Sequence, residues 1–168
     1  LLKHMAWANQ EILGKVAALP DEALGAYSVN PEWTVREILN HIVRSAHFYG
    51  YRLQMRTPEL ARSGEALRDK YIATEMLPLT MADVMNFIAS LKEADQVLIS
   101  ESAIEDAIVY REVEGAMIER ARSTIIFQAV HHATEHRAQL VAALEAKGFN
   151  SINLDDYDLW AYADKFGE

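Results

Sequence analysis

The sequence predicts an all-α protein: a four-helix bundle with a long crossover between its second and third helices and a short helix near the C-terminus. Three observations carry that reading. Four long stretches place apolar residues at helical spacing, and each is closed by a breaker or opened by a cap. One connection, residues 57–78, is far longer than a turn between antiparallel neighbours requires. Histidines on two distant stretches, 34–56 and 116–147, fall on the edges of their buried stripes.

Residues 1–18 read as the first helix, with Leu2, Met5, Asn9, Ile12, Leu13 and Val16 on one face and Leu19-Pro20 as its stop. His4 and Trp7 sit off that face. Thr34-Val-Arg-Glu37 is a capping box that opens the second helix, which runs to about Arg56 before Thr57-Pro58. His41 takes an edge of its buried stripe beside Ile38 and Ile42, whereas His47 is expected to face outward. A short helix around Glu65–Tyr71 is expected within the crossover. The third helix spans about Thr80–Ser100, with Val84, Phe87, Ile88, Leu91 and Leu98 inward. Val109–Val113 alternates and reads as a short strand. Gly115 is expected to turn the chain into the last long helix, from Ala116 to Lys147, with Gly148 as its stop. Residues 155–162 read as a short capped helix whose aromatic residues cover one end of the bundle.

With 168 residues and half of them hydrophobic, the chain is expected to form a single domain, residues 1–168, around one core. No apolar run approaches the ~20 residues a membrane span needs. No leader pattern is visible at the start, and because Leu1 already lies in a helical pattern, a native start is expected upstream. The absence of cysteine excludes disulfides, thiolate metal sites and cysteine nucleophiles, and fits a cytoplasmic protein. The net charge of −9 is uneven: residues 1–84 carry 9 Lys+Arg against 10 Asp+Glu, and residues 85–168 carry 7 against 15. So acidic a surface argues against nucleic acid or an anionic membrane as partner, since neither has counterions to release to it.

Three of the six histidines fall within Phe127–Leu140. At about 100° per residue, His136 lies about 40° from His132, along one edge of the apolar stripe. His131 and Glu135, at about 260° and 300°, point away from it. His41, His132 and His136 are therefore the inward set. Each can be a separately hydrogen-bonded core residue, or all three can share one partner. Burying three imidazoles separately leaves donors and acceptors to satisfy at about 1–3 kcal/mol for each one unmet. A divalent ion meets all three acceptor nitrogens together. Three histidines also leave a tetrahedral ion with an open position, as catalytic sites do. Arg137 and Gln139 read as residues of the helix surface.

These residues carry a resemblance. Trp33-Thr-Val-Arg-Glu-Ile-Leu-Asn-His41, followed by His132-Ala-Thr-Glu-His136-Arg-Ala-Gln139 and Asp158-Leu-Trp160-Ala-Tyr162, resembles the DinB/YfiT-like superfamily of metal-binding four-helix bundles over essentially the whole chain. The resemblance implies an up-down-down-up helix order and a homodimer. It also implies a divalent ion, zinc or nickel, held by His41, His132 and His136. Ala138 stands where the family often has Gly. Ser45 stands where it often has a carboxylate, which leaves the acid/base role of such a group without a carrier at that position.

Relatives in that superfamily include thiol-dependent S-transferases and a thiol-dependent isomerase. The function expected is thus a metal-dependent transfer in which a low-molecular-weight thiol attacks a small electrophilic substrate. Without cysteine, the thiol must come from outside. Tyr49 lies on the metal-facing stripe, and Ser45 and Gln128 are candidates to support the ligands. The alternatives are a stress- or damage-induced metal-binding protein without catalysis, a metal-dependent hydrolase, and a plain bundle with satisfied core histidines. Hydrolysis needs a general base, and no inward Asp or Glu is expected near the triad. The residues do not assign a catalytic side chain.

Overall fold

The computed structural model describes residues 1–64, 77–78, 80–104 and 108–167. These are mostly helical, consistent with an all-α bundle, and carry one small two-stranded sheet. The helices are α1 (Leu2–Ala17), α2 (Val35–Gln54), α3 (Pro58–Ser63), α4 (Met81–Ser102), α5 (Arg122–Glu145) and α6 (Leu159–Phe166). Strands β1 (Ile108–Val113) and β2 (Ala116–Ala121) lie between α4 and α5, and single 3-10 turns occupy Asp21–Gly25 and Leu154–Tyr157.

Local sequence sets most of these boundaries. Thr34 and Glu37 close the expected capping box, with the Thr34 N–H donating to Glu37 Oε2 at 3.2 Å. Thr80 and Asp83 build a second one at the start of α4. Gly148, at φ 87°, takes the left-handed conformation that ends a helix with little strain only in glycine, and the Phe149 N–H returns to Leu144 O at 3.1 Å. Asp158 caps α6 by accepting from the Ala161 N–H at 2.8 Å.

The helix α2 packs between α4 and α5, and α1 packs mainly on α4 with a smaller contact to α5. Ile12, Leu13, Leu39, Leu91, Leu140 and Leu144 are fully buried between them. Each such side chain stabilises the fold by about 1.5–3 kcal/mol relative to exposure. A second apolar cluster, Leu2, Met5, Leu53, Leu98, Ala129 and Ala133, lies against Tyr49, and four of its members, Met5, Leu98, Ala129 and Ala133, line a small cavity with His132. No helix among the described residues is long and apolar enough to cross a membrane.

The expected strand at Val109–Val113 is present, but the last helix starts later than the sequence indicates. Residues 116–121 form β2, paired antiparallel with β1 from Ile108↔Ala121 to Val113↔Ala116, and α5 begins at Arg122. Ala116, Met117, Glu119 and Arg120 are good helix formers, so a run without Gly or Pro reads as helix. Glu114 and Gly115 both take positive φ, 51° and 80°, the backbone of a two-residue hairpin turn, and fold the next six residues back onto β1. Pairing across the turn overrides local propensity. The short helix expected at Glu65–Tyr71 lies outside the described residues; α3 precedes that stretch, capped by Thr57 with Pro58 in its first turn.

The C-terminal aromatic residues pack along the outer side of α1. Trp7 meets the rings of Tyr157, Tyr162 and Phe166 at 5.9, 5.6 and 6.1 Å. His4, expected off the buried face, is buried by this segment and donates from Nε2 to Tyr157 O at 2.9 Å. His47 does not face outward either. It is half-buried against α4, with Nε2 2.8 Å from Ser90 Oγ, because α2 has neighbours on two sides.

Candidate metal centre

His41 is carried by α2 between the buried Ile38 and Ile42. His132 and His136 lie one turn apart on α5, among the small buried residues Ala129 and Ala133, which let α2 approach. The three rings converge. Centroids are 4.8 Å apart for His41–His132, 4.5 Å for His41–His136 and 4.2 Å for His132–His136. One nitrogen from each lies within 4.8 Å of the others, and His41 Nε2 is 2.9 Å from His132 Nε2. His131 and Glu135 remain outside, exposed and 3.8 Å from each other.

Burial, followed by the charges of His136 and Arg44, holds the His41 imidazole below its ordinary range, with Glu135 opposing. Burial, then His136, His41 and His131, pushes His132 down to about 4. Both are therefore neutral at pH 7, the form that offers a lone pair to a cation.

The third ring is oriented by a residue that the sequence left on the surface. Gln139 Oε1 lies 2.9 Å from Trp33 Nε1 and 2.9 Å from His136 Nδ1. An indole nitrogen only donates, so the atom facing it is the amide oxygen, and His136 Nδ1 must then donate as well. In its neutral form His136 is thereby the Nδ1–H tautomer, with the lone pair on Nε2. Trp33 also stands edge-on to His41 and His136, at 5.3 and 6.0 Å. In a tetrahedral zinc site, bonds of about 2.0–2.1 Å set neighbouring nitrogens roughly 3.4 Å apart. The separations here bracket that value, and the donor set is one that zinc or nickel accepts.

Arg137 is not a surface residue. It is 5% exposed, donates to Asn9 Oδ1 at 2.7 Å and to Thr134 Oγ1 at 3.2 Å, and faces the carboxylate of Asp95. Asp95 corrects a further expectation, since it is an inward acid close to the triad. It is 1% exposed, accepts from Asn9 Nδ2 at 3.0 Å, and shares the lining of a small cavity with His132 and Tyr49. Its position one turn after Leu91 and three residues before Leu98 placed it on the buried stripe of α4, and that spacing was the available signal.

The Tyr49 ring is 5.5 Å from His132. Burial raises its hydroxyl above the ordinary phenol range, against a hydrogen bond with Gln128. Gln128 therefore supports Tyr49, and among the described residues it makes no hydrogen bond to the triad. Ser45 is half-buried and makes no hydrogen bond to the triad among the described residues.

The family model described as DinB family matches residues 1–165, and the chain belongs to that family. Searches of curated proteins and of solved structures returned no match.

Proposed function

We propose that this member of the DinB family holds one divalent ion, zinc or nickel, on His41, His132 and His136, and acts as a thiol-dependent S-transferase on a small electrophile. The observation that carries the reading is the convergence of three imidazole nitrogens from two helices within 4.8 Å. When bound, such an ion supplies a Lewis acid at an open coordination position, able to favour the thiolate over the thiol. The chain supplies the rest. Gln139 and Trp33 hold His136 in its ligating form, the depressed basicity of His41 and His132 keeps protons from competing, and the Tyr49 hydroxyl offers a hydrogen bond beside His132. The thiol is a separate small molecule, because the chain has no cysteine.

Metal analysis of the purified protein tests the site. One equivalent of zinc or nickel is expected, and at least a tenfold loss of affinity in each of His41→Ala, His132→Ala and His136→Ala; unchanged metal content in all three rejects the triad. The transferase reading is tested with a model electrophile and glutathione, bacillithiol or mycothiol. Metal-dependent conjugation is expected with at least one, and no turnover with any assigns the chain to metal binding without catalysis, as in a stress- or damage-induced protein.

A second reading has its own observation. The 2.9 Å between His41 Nε2 and His132 Nε2 is also a hydrogen-bond distance, which suits a bundle whose histidines satisfy one another. Metal-dependent hydrolysis is less favoured, because the inward carboxylate, Asp95, is sealed from solvent.

The up-down-down-up order belongs to this proposal. It is supported by contacts that advance together along α2 and α4, His47 with Ser90 and then, just past the end of α2, Arg56 with Glu101. Contacts run oppositely between α1 and α4, from Asn9–Asp95 to Asp21–Met81 in the turn after α1, and between α2 and α5, from His41–His132 to Leu53–Arg122. The proposal further takes the chain as one domain and as a cytoplasmic homodimer, with a small-molecule substrate and neither nucleic acid nor membrane as partner. Light scattering tests the dimer.

A further inference from the structure

We propose that Asp95 is a positioning residue for His132, acting through a single buried water that joins the Asp95 carboxylate to His132 Nδ1. This inference rests on the metal-centre reading above for its consequence, though not for its geometry.

Asp95 Oδ2 accepts from Asn9, while Oδ1 is buried without a hydrogen-bond partner among the described residues. An unmet buried acceptor destabilises the fold, and more so when it is charged. Asp95, Asn9, Tyr49 and His132, with Leu91 and Leu98, line a cavity of about 10 Å³. That is about the least volume that takes one water, and the wall carries several polar groups to hold it.

His132 has the complementary requirement. Its Nε2 faces His41. To present a lone pair there, the ring must carry its proton on Nδ1 and donate it, and ligating histidines almost always donate that second N–H to a carboxylate, a carbonyl or a water. Gln139 meets this need for His136. For His132, no protein group among the described residues takes the bond, so the cavity between it and Asp95 supplies the acceptor.

The far end of the relay is held by Arg137. The Arg137 guanidinium only donates, so the Asn9 atom facing it is Oδ1, at 2.7 Å. Asn9 must then turn Nδ2 to Asp95, which commits Oδ2 as acceptor. Oδ1 is an acceptor too and takes one hydrogen from the water; the carboxylate charge behind it polarises the water so that its oxygen accepts from His132 Nδ1–H in preference to its second hydrogen going to a bare Nδ1. Arg137, adjacent in the chain to His136, thus holds Asn9 and through it the Asp95 carboxylate, whose free oxygen acts on the other α5 histidine.

The test uses the full chain, metal-free, with ¹⁵N-labelled histidine at pH 7.5. Long-range ¹H–¹⁵N correlation is expected to show His132 as the Nδ1–H tautomer. In Asp95→Asn, Asn9 still demands an oxygen, so the new amide turns its NH₂ into the cavity and reverses the water. His132 is then expected to move toward the Nε2–H tautomer, and zinc affinity, measured by chelator competition, to fall about 10–100-fold. An unchanged tautomer or unchanged zinc affinity in a folded Asp95→Asn protein overturns the inference. An Nε2–H tautomer in the parent protein overturns it without any variant, which decides the matter if Asp95→Asn does not fold. If the parent binds no zinc but its tautomer is as expected and moves in the variant, the metal reading fails and the relay stands.

Discussion

Gln139 shows how much of a ligand set can depend on a neutral side chain. Its one oxygen takes two donors, and the indole among them leaves His136 a single tautomer. Gln139→Ala is expected to lower zinc affinity about 10–100-fold without unfolding the chain, as read by chelator competition beside a thermal melt. Trp33→Phe, which keeps the ring and removes the donor, is expected to have the smaller effect.

Asp95 predicts a pH signature in stability. Burial raises it to about 6 from 3.8, against the Asn9 hydrogen bond and the Arg137 charge. An acid raised in the folded state gives stability that is full below about pH 4 and lost as pH rises through about 6. The size is roughly 3 kcal/mol. His132, lowered to about 4 from 6.5, works oppositely: its contribution is full above pH 6.5 and lost as pH falls toward 4. The two oppose each other between pH 4 and 6. Urea titrations across that window are expected to show Asp95→Asn gaining stability relative to the parent as pH rises, and a constant difference between the two rejects the assignment.

At this scale the sequence was legible where side-chain phase alone decides. His41, His132 and His136 converge, and His131 and Glu135 stay outside, as helical angles require. The partners Gln139, Arg137 and Asp95 were not recognised, because their roles depend on what another helix places opposite them. Phase on one helix carries no information about that.

Among the elements, Arg122 at the first residue of α5 joins three of them. It donates to Leu53 O near the end of α2 and to Glu101 O near the end of α4, both at 2.5 Å, and lies 3.6 Å from the Glu101 carboxylate. Helix C-termini carry unpaired carbonyls and partial negative charge, so a buried guanidinium there satisfies both. Arg122→Met keeps the bulk and removes the donors. A loss of about 3 kcal/mol or more is expected from two charge-assisted bonds, measured by urea unfolding. The hairpin explains why the helix begins at this arginine. The segment 116–121 has helical composition, and only the turn at Glu114-Gly115 and the neighbouring β1 convert it to strand. Local propensity alone carries no information about that pairing.

Over the whole molecule, the sequence disclosed the four long helices and the family, because caps and apolar stripes are local and an all-α bundle follows from them. It did not disclose that the C-terminal segment lies along α1, where Trp7 and His4 gain partners more than 150 residues away in the case of His4–Tyr157. The histidines sit on helices whose positions are fixed independently of them. Adding zinc to metal-free protein is therefore expected to leave far-UV circular dichroism unchanged while raising the melting temperature; a gain in helical signal on binding contradicts a site formed in advance.

One helix, α5, is held at three heights: Arg122 at its start, Arg137 through Asn9 to α1, and Gln139 through Trp33 to the approach of α2. A rod pinned at three points cannot roll about its own axis, and rolling is the motion that would separate His132 and His136 from His41. For the ion proposed above, exchange would then have no hinge to wait for: its rate would be set by how fast the ion sheds and regains water, and selectivity between metals would become a contest of dehydration and ligand field inside a frame that does not yield.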